Sequence, residues 1–377
     1  MIGGDDYACH LLHSIYGLKQ SPRTWSDTLG SKLSEMGFTA SLADPALWVR
    51  QEEDGTRSYT LVYVDDLLMA APTRAAIDGI ISGLRTSFEA KDMGEPKFFL
   101  GMTVERDRDN KTIALGKRRH VADLLEQYGM TEAAPLKTPL PTSIKLRAAG
   151  QPLDTAKYPY LALVGSLLYL AGGTRPDITQ PVGALTRYGA APTAAHWDAA
   201  KHVLRYLRGT QDYKLHLGGS SELVLTGYCD ADFAGCPDTR RSTTAYIFTL
   251  NGGAVSWCSR MQKTIAASTT ESEYVAQSEA AREALWLRKL LMDLGATVGT
   301  IEIKTDSQSA LKLLNPIISQ RSKHIDVCHH FTRERIANGE LSYSYLATSD
   351  MPADALAKSL AESALAKHRL AMGLLRV

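Results

Sequence analysis

The stretch TGYCDADFAG, Thr226 to Gly235, admits few architectures. It lies in LVLTGYCDADF, an apolar run ending in carboxylates, which is the pattern of a β-strand whose acids sit where a sheet meets solvent. Three later segments each carry an acid that gains a use beside Asp230. Glu273 lies in TTESEYVAQSEAAREALWLRKLL, predicted as a long helix; Asp306 closes the predicted strand IEIKTD; Asp354 opens a short helix, PADALAKSL. A single Asp or Glu is ordinarily a solvated charge or a cap. The order strand Asp, hairpins, helix Glu, strand Asp, helix Asp is seldom met by chance, and it points to a metal site. Carboxylates without His or Cys suit Mg2+, a hard ion that prefers oxygen. Glu271 competes with Glu273 for the helical position, and Asp232 and Asp326 are the other rivals.

Composition narrows the partners. With 377 residues, 44% hydrophobic and 22% charged, the chain has room for two or three globular domains and is not broadly disordered. The net charge is only +1, so contact with nucleic acid has to come from local patches. Candidates are Lys117-Arg118-Arg119-His120, Arg205 with Arg208, Arg240-Arg241 and Lys323-His324, each of which also reads as a solvated helix face. Five cysteines without a Cys-x-x-Cys pair give neither a disulfide framework nor a zinc knuckle and point to a reducing compartment. LALVGSLLYLAGG is too short for the roughly 18–20 residues of a membrane span. The N-terminus has no apolar core of signal type. The expectation is an intracellular protein, cytoplasmic or nuclear, without a membrane partner.

Upstream, YGLKQSPRTW leads from a loop into a helix with Trp25, Leu29 and Leu33 on one face. SYTLVYVDDLLMAA reads as a hairpin with Asp65 and Asp66 at its turn, where turn chemistry alone would also place them. Thr73 caps a helix with Ile77, Ile80, Ile81, Leu84 and Phe88 at core spacing. PKFFLGMTVERDRDNKTIALG gives two strands joined at Asp109-Asn110, and KRRHVADLLEQYG a short helix whose basic head is free for phosphate. Periodicity fades from Met130 to Asp154, the expected linker. Tyr158 to Gly209 is helical; His196 and His202 lie six apart, which is not a one-face ligand spacing. Tyr213 to Leu217 and Leu223 to Tyr228 are expected to begin the final sheet, and Thr243 to Arg260 to form a hairpin turning at Asn251-Gly252-Gly253. His324, His329 and His330 lack the Cys pair or spaced acid of a zinc site.

The words YCDADFAG, RRSTTAYIF, VSWCSRMQKTIAASTTESEY, KTDSQSAL, RSKHIDVCHHFTRERI and MPADALAKSL resemble the ribonuclease H domain of copia-type LTR retrotransposons. YGLKQSPRTW, GFTASLADPALWV and LVYVDDLLMAA stand in the order found in copia-type reverse transcriptases, and Tyr63-Val64-Asp65-Asp66 matches the YxDD box. The resemblance implies an α/β and α+β fold: a partial reverse-transcriptase palm with a helical connecting region, then a ribonuclease H-like mixed sheet with packed helices. Its expected divisions are 1–129 for the polymerase part with a primer-grip-like hairpin, 130–157 for the linker, 158–222 for the connecting region, 223–360 for the nuclease and 361–377 for a terminal helix. It makes Asp230, Glu273, Asp306 and Asp354 the nuclease's acids around two Mg2+ ions, with Glu273 favoured by the Tyr-Val-Ala that follows it. Asp65 becomes a polymerase metal ligand with Asp66 beside it, and Gly17, Gln20 and Ser21 line a nucleotide pocket. Lys19, Arg23, Lys117, Arg118, Arg119, Arg240, Arg241, Lys323, His324 and Arg333 are candidates for holding template–primer or hybrid. The implied activity is Mg2+-dependent endonucleolytic cleavage of RNA in RNA–DNA hybrids. A catalytically inactive relic that binds nucleic acid or protein is the other class of function that fits.

Two absences matter, the first of a residue that some ribonucleases of this fold carry and the second of one in the family pattern. The loop ATSDMPAD carries no histidine, which is expected to slow product release. The family's further polymerase Asp, in a strand of the type VDVxxAFL ahead of YGLKQ, would precede Met1. A polypeptide of these 377 residues is therefore expected to give no primer extension on a primed RNA template with Mg2+ and nucleotides, as followed by gel.

Overall fold

Two compact units make up the computed structural model, which describes residue 11 and residues 14–219, 223–314 and 326–376. One is Met1–Pro96 with Lys289–Thr297, and the other is Lys97–Arg288 with Val298–Val377.

In the first unit, α1 (Ser21–Glu35) carries Pro22 in its opening turn, where a missing N–H costs nothing, and buries Leu29 and Leu33. Strands β1 (Thr39–Ala40), β2 (Leu47–Gln51), β3 (Arg57–Tyr63) and β4 (Asp66–Ala70) form an antiparallel sheet in chain order. Helix α2 (Arg74–Arg85) begins as expected at Thr73, whose hydroxyl accepts the Ala76 N–H at 3.2 Å. It packs Ile80 and Leu84 against Leu29, Leu33 and Phe38. Tyr59 and Arg57 donate to the carbonyls of Leu294 and Asp293, at 2.6 and 3.4 Å.

The second unit opens with β5 (Phe98–Phe99), β6 (Met102–Asp107) and β7 (Thr112–Gly116), then α3 (Arg118–Gln127). Helices α4 (Tyr160–Gly173), α5 (Thr179–Thr186) and α6 (Ala194–Gly209) follow, then β8 (Tyr213–Gly218). Segment 130–157 has no helix or strand, yet it does not hang free. Leu140 and Leu146 are buried in the helical core, the Leu136 N–H donates to Arg205 O at 3.2 Å, and Arg205 Nε donates to Ala134 O at 2.8 Å. Arg208 Nε donates to Thr131 O. Arg205 and Arg208 thus tie down this segment instead of forming an open basic patch. Fading periodicity reported a lack of regular structure, not of packing.

The last stretch supplies β9 (Leu225–Asp232), β10 (Thr243–Leu250), β11 (Gly253–Met261), α7 (Thr269–Asp293), β12 (Ile301–Thr305), α8 (Gln308–Leu314), α9 (Asp326–Ala337), β13 (Leu341–Tyr345), α10 (Asp354–Ala357), α11 (Glu362–Ala371) and β14 (Leu374–Arg376). Its sheet runs β11-β10-β9-β12-β13, antiparallel from β9 through β11 and parallel from β9 through β13. This is the ribonuclease H-like mixed sheet. Asn251 (φ 50°) and Gly252 (φ 83°) form the two-residue turn of its hairpin, whose right-handed twist needs positive φ.

One strand departs from expectation. β8 does not enter this sheet but lies between β7 and β14 in a second one, ordered β14-β8-β7-β6-β5. A strand has two edges, and those of β8 are taken at Leu215 by Leu115 and Leu374. The tail expected to be helical alone ends in that pairing strand. Among the described residues no helix is long and apolar enough to cross a membrane.

A buried charge network holds the helical region. Arg175 (2% exposed) donates to both Asp177 oxygens at 2.9 and 2.8 Å and to Thr210, while Tyr206 donates to Asp177 Oδ2 at 2.5 Å. Arg175 and Tyr206 keep the Asp177 carboxyl below its usual range in spite of full burial. Asp177→Ala would strand the Arg175 charge and is expected to destabilise the fold by about 3–5 kcal/mol in urea titrations; a loss below about 1 kcal/mol would contradict this account.

Candidate metal centre

Strand pairing builds the centre. Cys229 on β9 pairs in parallel with Thr305, the last residue of β12, so the next residues, Asp230 and Asp306, stand side by side on adjacent strands. Such strands lie about 4.8 Å apart. Asp230 is on the central strand and 4% exposed. Helix α7 brings Glu273, and ligand oxygens of Asp230, Glu273 and Asp306 all lie within 4.8 Å of one another. Asp354, first residue of α10 and 5% exposed, is close enough to raise the Asp230 carboxyl and lies 2.6 Å from Lys358 Nζ through Oδ1. Thr348 Oγ1 donates to Asp306 Oδ2 at 2.6 Å.

The group is short of positive charge. Burial, then repulsion by Asp306 and Asp354, pushes the Asp230 carboxyl up to about 8; burial, then Asp230 and Asp306, pushes Glu273 up to about 9. Glu273 Oε2 is buried without a hydrogen-bond partner, a condition that folded proteins avoid unless a ligand completes it. An all-oxygen donor set of this kind fits a hard divalent cation. Asp230, Glu273 and Asp306 would hold it, with Asp354 adjoining.

The rivals are placed elsewhere. Glu271 Oε2 accepts the Ala267 N–H at 2.7 Å at the start of α7. Asp232 lies further along β9 towards Lys358 and Arg187. The side chain of Asp326 lies outside the described residues, as do Lys323 and His324.

In the first unit, Val64 and Asp65 form the hairpin turn, and Asp66 starts β4 paired with Tyr63. Val64 is at φ 54°, a strained position for a β-branched residue. Its carbonyl accepts Trp25 Nε1 at 2.7 Å, and Asp65 Oδ2 accepts the Tyr16 hydroxyl at 2.5 Å. Gly17 is at φ 95°, Gln20 precedes α1, and the Ser21 hydroxyl donates to Ile15 O at 2.7 Å. Lys19 is exposed, as is Arg23, which lies 3.6 Å from Asp27.

Two predicted contacts are corrected. Lys117 is buried, donates to Tyr169 O at 3.1 Å and sits 3.2 Å from the centre of the Tyr169 ring, and burial lowers its pKa to about 8. It anchors α3 on α4 and is not free for phosphate. Arg333 donates through Nε and Nη2 to Leu313 O, at 3.0 and 2.6 Å, closing the end of α8. Arg118 lies 3.2 Å from Asp212; Arg119 and Arg240 are exposed and Arg241 half-buried. Sequence reasoning passed over Lys358, although its i+4 spacing from Asp354 was a usable signal. Nothing local in the sequence marks Thr348 or Tyr16.

The chain combines a reverse-transcriptase domain with a ribonuclease H-like fold. The family model described as "Reverse transcriptase (RNA-dependent DNA polymerase)" matches residues 2–142. The chain is 38% identical over 363 residues to the retrovirus-related Pol polyprotein from transposon TNT 1-94 of Nicotiana tabacum, covering 94% of this chain and 27% of that polyprotein. It is 35% identical over 279 residues to a putative transposon Ty5-1 protein of Saccharomyces cerevisiae, covering 74% of this chain and 90% of that one. The solved LC11 ribonuclease H1 isolated from compost matches 36% of this chain and 93% of its own at 16% identity, with a TM-score of 0.29. The chain belongs to the copia-type retrotransposon Pol family, and it spans about a quarter of the length of the plant Pol polyproteins it matches.

The raised carboxyls set a pH dependence. Below about 4, folded and unfolded chains both hold these protons; above it only the folded chain does, so stability is lost as pH rises towards 8–9. In chelator, Tm is expected to fall between pH 5 and 9 (roughly the span between unfolded and folded values). Mg2+ is expected to flatten that slope, and Asp230→Asn to reduce it. A slope indifferent to both changes would count against the centre.

Proposed function

We propose that the second unit hydrolyses the RNA strand of RNA–DNA hybrids as a Mg2+-dependent endonuclease, leaving a 3′-hydroxyl and a 5′-phosphate. The observation that carries this reading is the convergence of ligand oxygens of Asp230, Glu273 and Asp306 within 4.8 Å, with Asp354 acting electrostatically on Asp230. Two Mg2+ ions supply water activation and charge relief on the leaving oxygen. Asp230, which feels the charge of both Asp306 and Asp354, would be a metal ligand. Glu273, Asp306 and Asp354 would be the other acids holding the metal. Thr348 orients Asp306, and Lys358 pairs with Asp354 at 2.6 Å.

On this reading residues 223–360 are the nuclease, 158–222 the connecting region and 1–129 the polymerase part, with 130–157 between and 361–377 as the tail. Asp65 and Asp66 are the acids of the polymerase segment, Lys19, Arg23, Arg118, Arg119, Arg240 and Arg241 the nucleic-acid contacts, and Gly17, Gln20 and Ser21 the nucleotide side. Template–primer and hybrid are the partners. The catalytic acids face a substrate that presents 2′-hydroxyls and an A-like groove, the features by which a protein tells RNA from DNA.

Asp230→Asn is expected to bring cleavage of a labelled hybrid down to the protein-free level while preserving hybrid binding. Cleavage at the wild-type rate in that variant would remove the assignment.

A further inference from the structure

A cavity of about 50 Å3 has Asp232 and Lys358 in its lining, and its cations come partly from outside the nuclease sheet. Lys145 projects from segment 130–157, Arg187 from the residue after α5 and Lys358 from the residue after α10; Asp232 is the acid among them. All three cations act electrostatically on Asp232. Asp230 and Asp232 share a face of β9 two residues apart, about 7 Å, and Lys358 reaches Asp354 at 2.6 Å. The cavity and the cluster are therefore neighbours. Gly235 lets the Asp232 carboxylate fold inward, since a Cβ there would lie 1.8 Å from Asp232 Oδ2.

The backbone that presents Lys145 is held on both sides. Leu146 is buried and its carbonyl accepts the Tyr188 hydroxyl at 2.9 Å. Asp238 Oδ2, in the loop after β9, accepts the Ala148 N–H at 3.0 Å and Tyr188 Oη at 2.9 Å. Arg187 is half-buried and oriented by Nη2 donating to Thr243 Oγ1 at 3.2 Å. Lys145 itself is exposed, on this anchored loop. Lys145 and Arg187 face Asp232, and Lys358 is shared with Asp354, so the recess has a cationic side next to the acid cluster. A polyanion that lies across both would neutralise each with its own counterpart: cations at the cluster, cationic side chains at the recess.

We propose that the recess is a phosphate subsite in which Lys145 and Arg187 hold a backbone phosphodiester of the hybrid next to the one cleaved. The identity of the ligand rests on the nuclease reading above. A guanidinium offers a fork to phosphate oxygens and an ammonium a point charge. Contacts to phosphate position a duplex without reading its sequence. The connecting segment thus sets where the hybrid sits on the nuclease.

Lys145→Ala, Arg187→Ala and the double variant test this with a blunt RNA–DNA duplex, in chelator and in Mg2+. The double variant is expected to weaken binding about tenfold and to lower the slope of log Kd against log salt by about one per cation removed. KM follows Kd, and kcat changes less. Replacing single phosphodiesters by uncharged methylphosphonates should reveal one position where wild type loses affinity and the double variant is indifferent. Arg187→Lys retains the salt slope and Arg187→Gln loses it, which separates charge from packing on Thr243. An unchanged slope in a double variant of native Tm overturns the subsite, as does equal loss in both proteins at every methylphosphonate position. If wild type binds hybrid but does not cleave it, the nuclease reading fails, and the chelator measurements still decide the subsite.

Discussion

The parallel pairing of β12 beside β9 is what the acid cluster stands on. With Thr305 opposite Cys229, two carboxylates from residues far apart in the chain are forced into adjacent positions at the same end of the sheet. A register slip of one residue would turn Asp306 to the opposite face. The helix bearing Glu273 and the short helix opened by Asp354 then add acids to a place already crowded with negative charge. The sheet can hold such a group because its core is otherwise apolar and well packed: Cys229, Ala245, Ile247, Phe248 and Ile303 are fully buried. The fold carries the repulsion until a cation offsets it.

Around this centre the helical region behaves as part of the same body. Segment 130–157 is irregular but pinned, by Leu140 and Leu146 in the core and by Arg205 and Arg208 on its carbonyls. Tyr169 donates to Leu100 O at 2.8 Å and stacks over Lys117, so α4 fixes both the hairpin of β5 and β6 and the start of α3. The trait shared by these contacts is a long side chain reaching a main-chain carbonyl. Such bonds fix irregular backbone without requiring a repeating pattern in the sequence.

That distinction explains what could be read in advance. The Asn251-Gly252 turn, the Thr73 cap, the YVDD hairpin and the strand and helix settings of Asp230, Glu273, Asp306 and Asp354 are local, and periodicity or turn chemistry exposes them. The Tyr-Val-Ala that follows it favours Glu273 over Glu271 in the sequence, and Glu273 is the one whose ligand oxygen lies within 4.8 Å of those of Asp230 and Asp306. The partner of β8 was not legible, because alternating burial tells which face is inside and says nothing about which strand lies alongside. Lys117 and Arg333 looked like free cations for the same reason: charge is visible in a sequence, while the carbonyl that will capture it is not.

The three-residue strand β14 has a consequence out of proportion to its length. By lying along the outer side of β8 it covers donors and acceptors that would otherwise form an open ribbon. An uncovered ribbon of that kind invites pairing with another chain. Proteolytic trimming past Gly373 would leave every acid of the centre in place and yet turn a self-contained surface into an adhesive one, so the shelf life of the molecule hangs on residues that take no part in its chemistry.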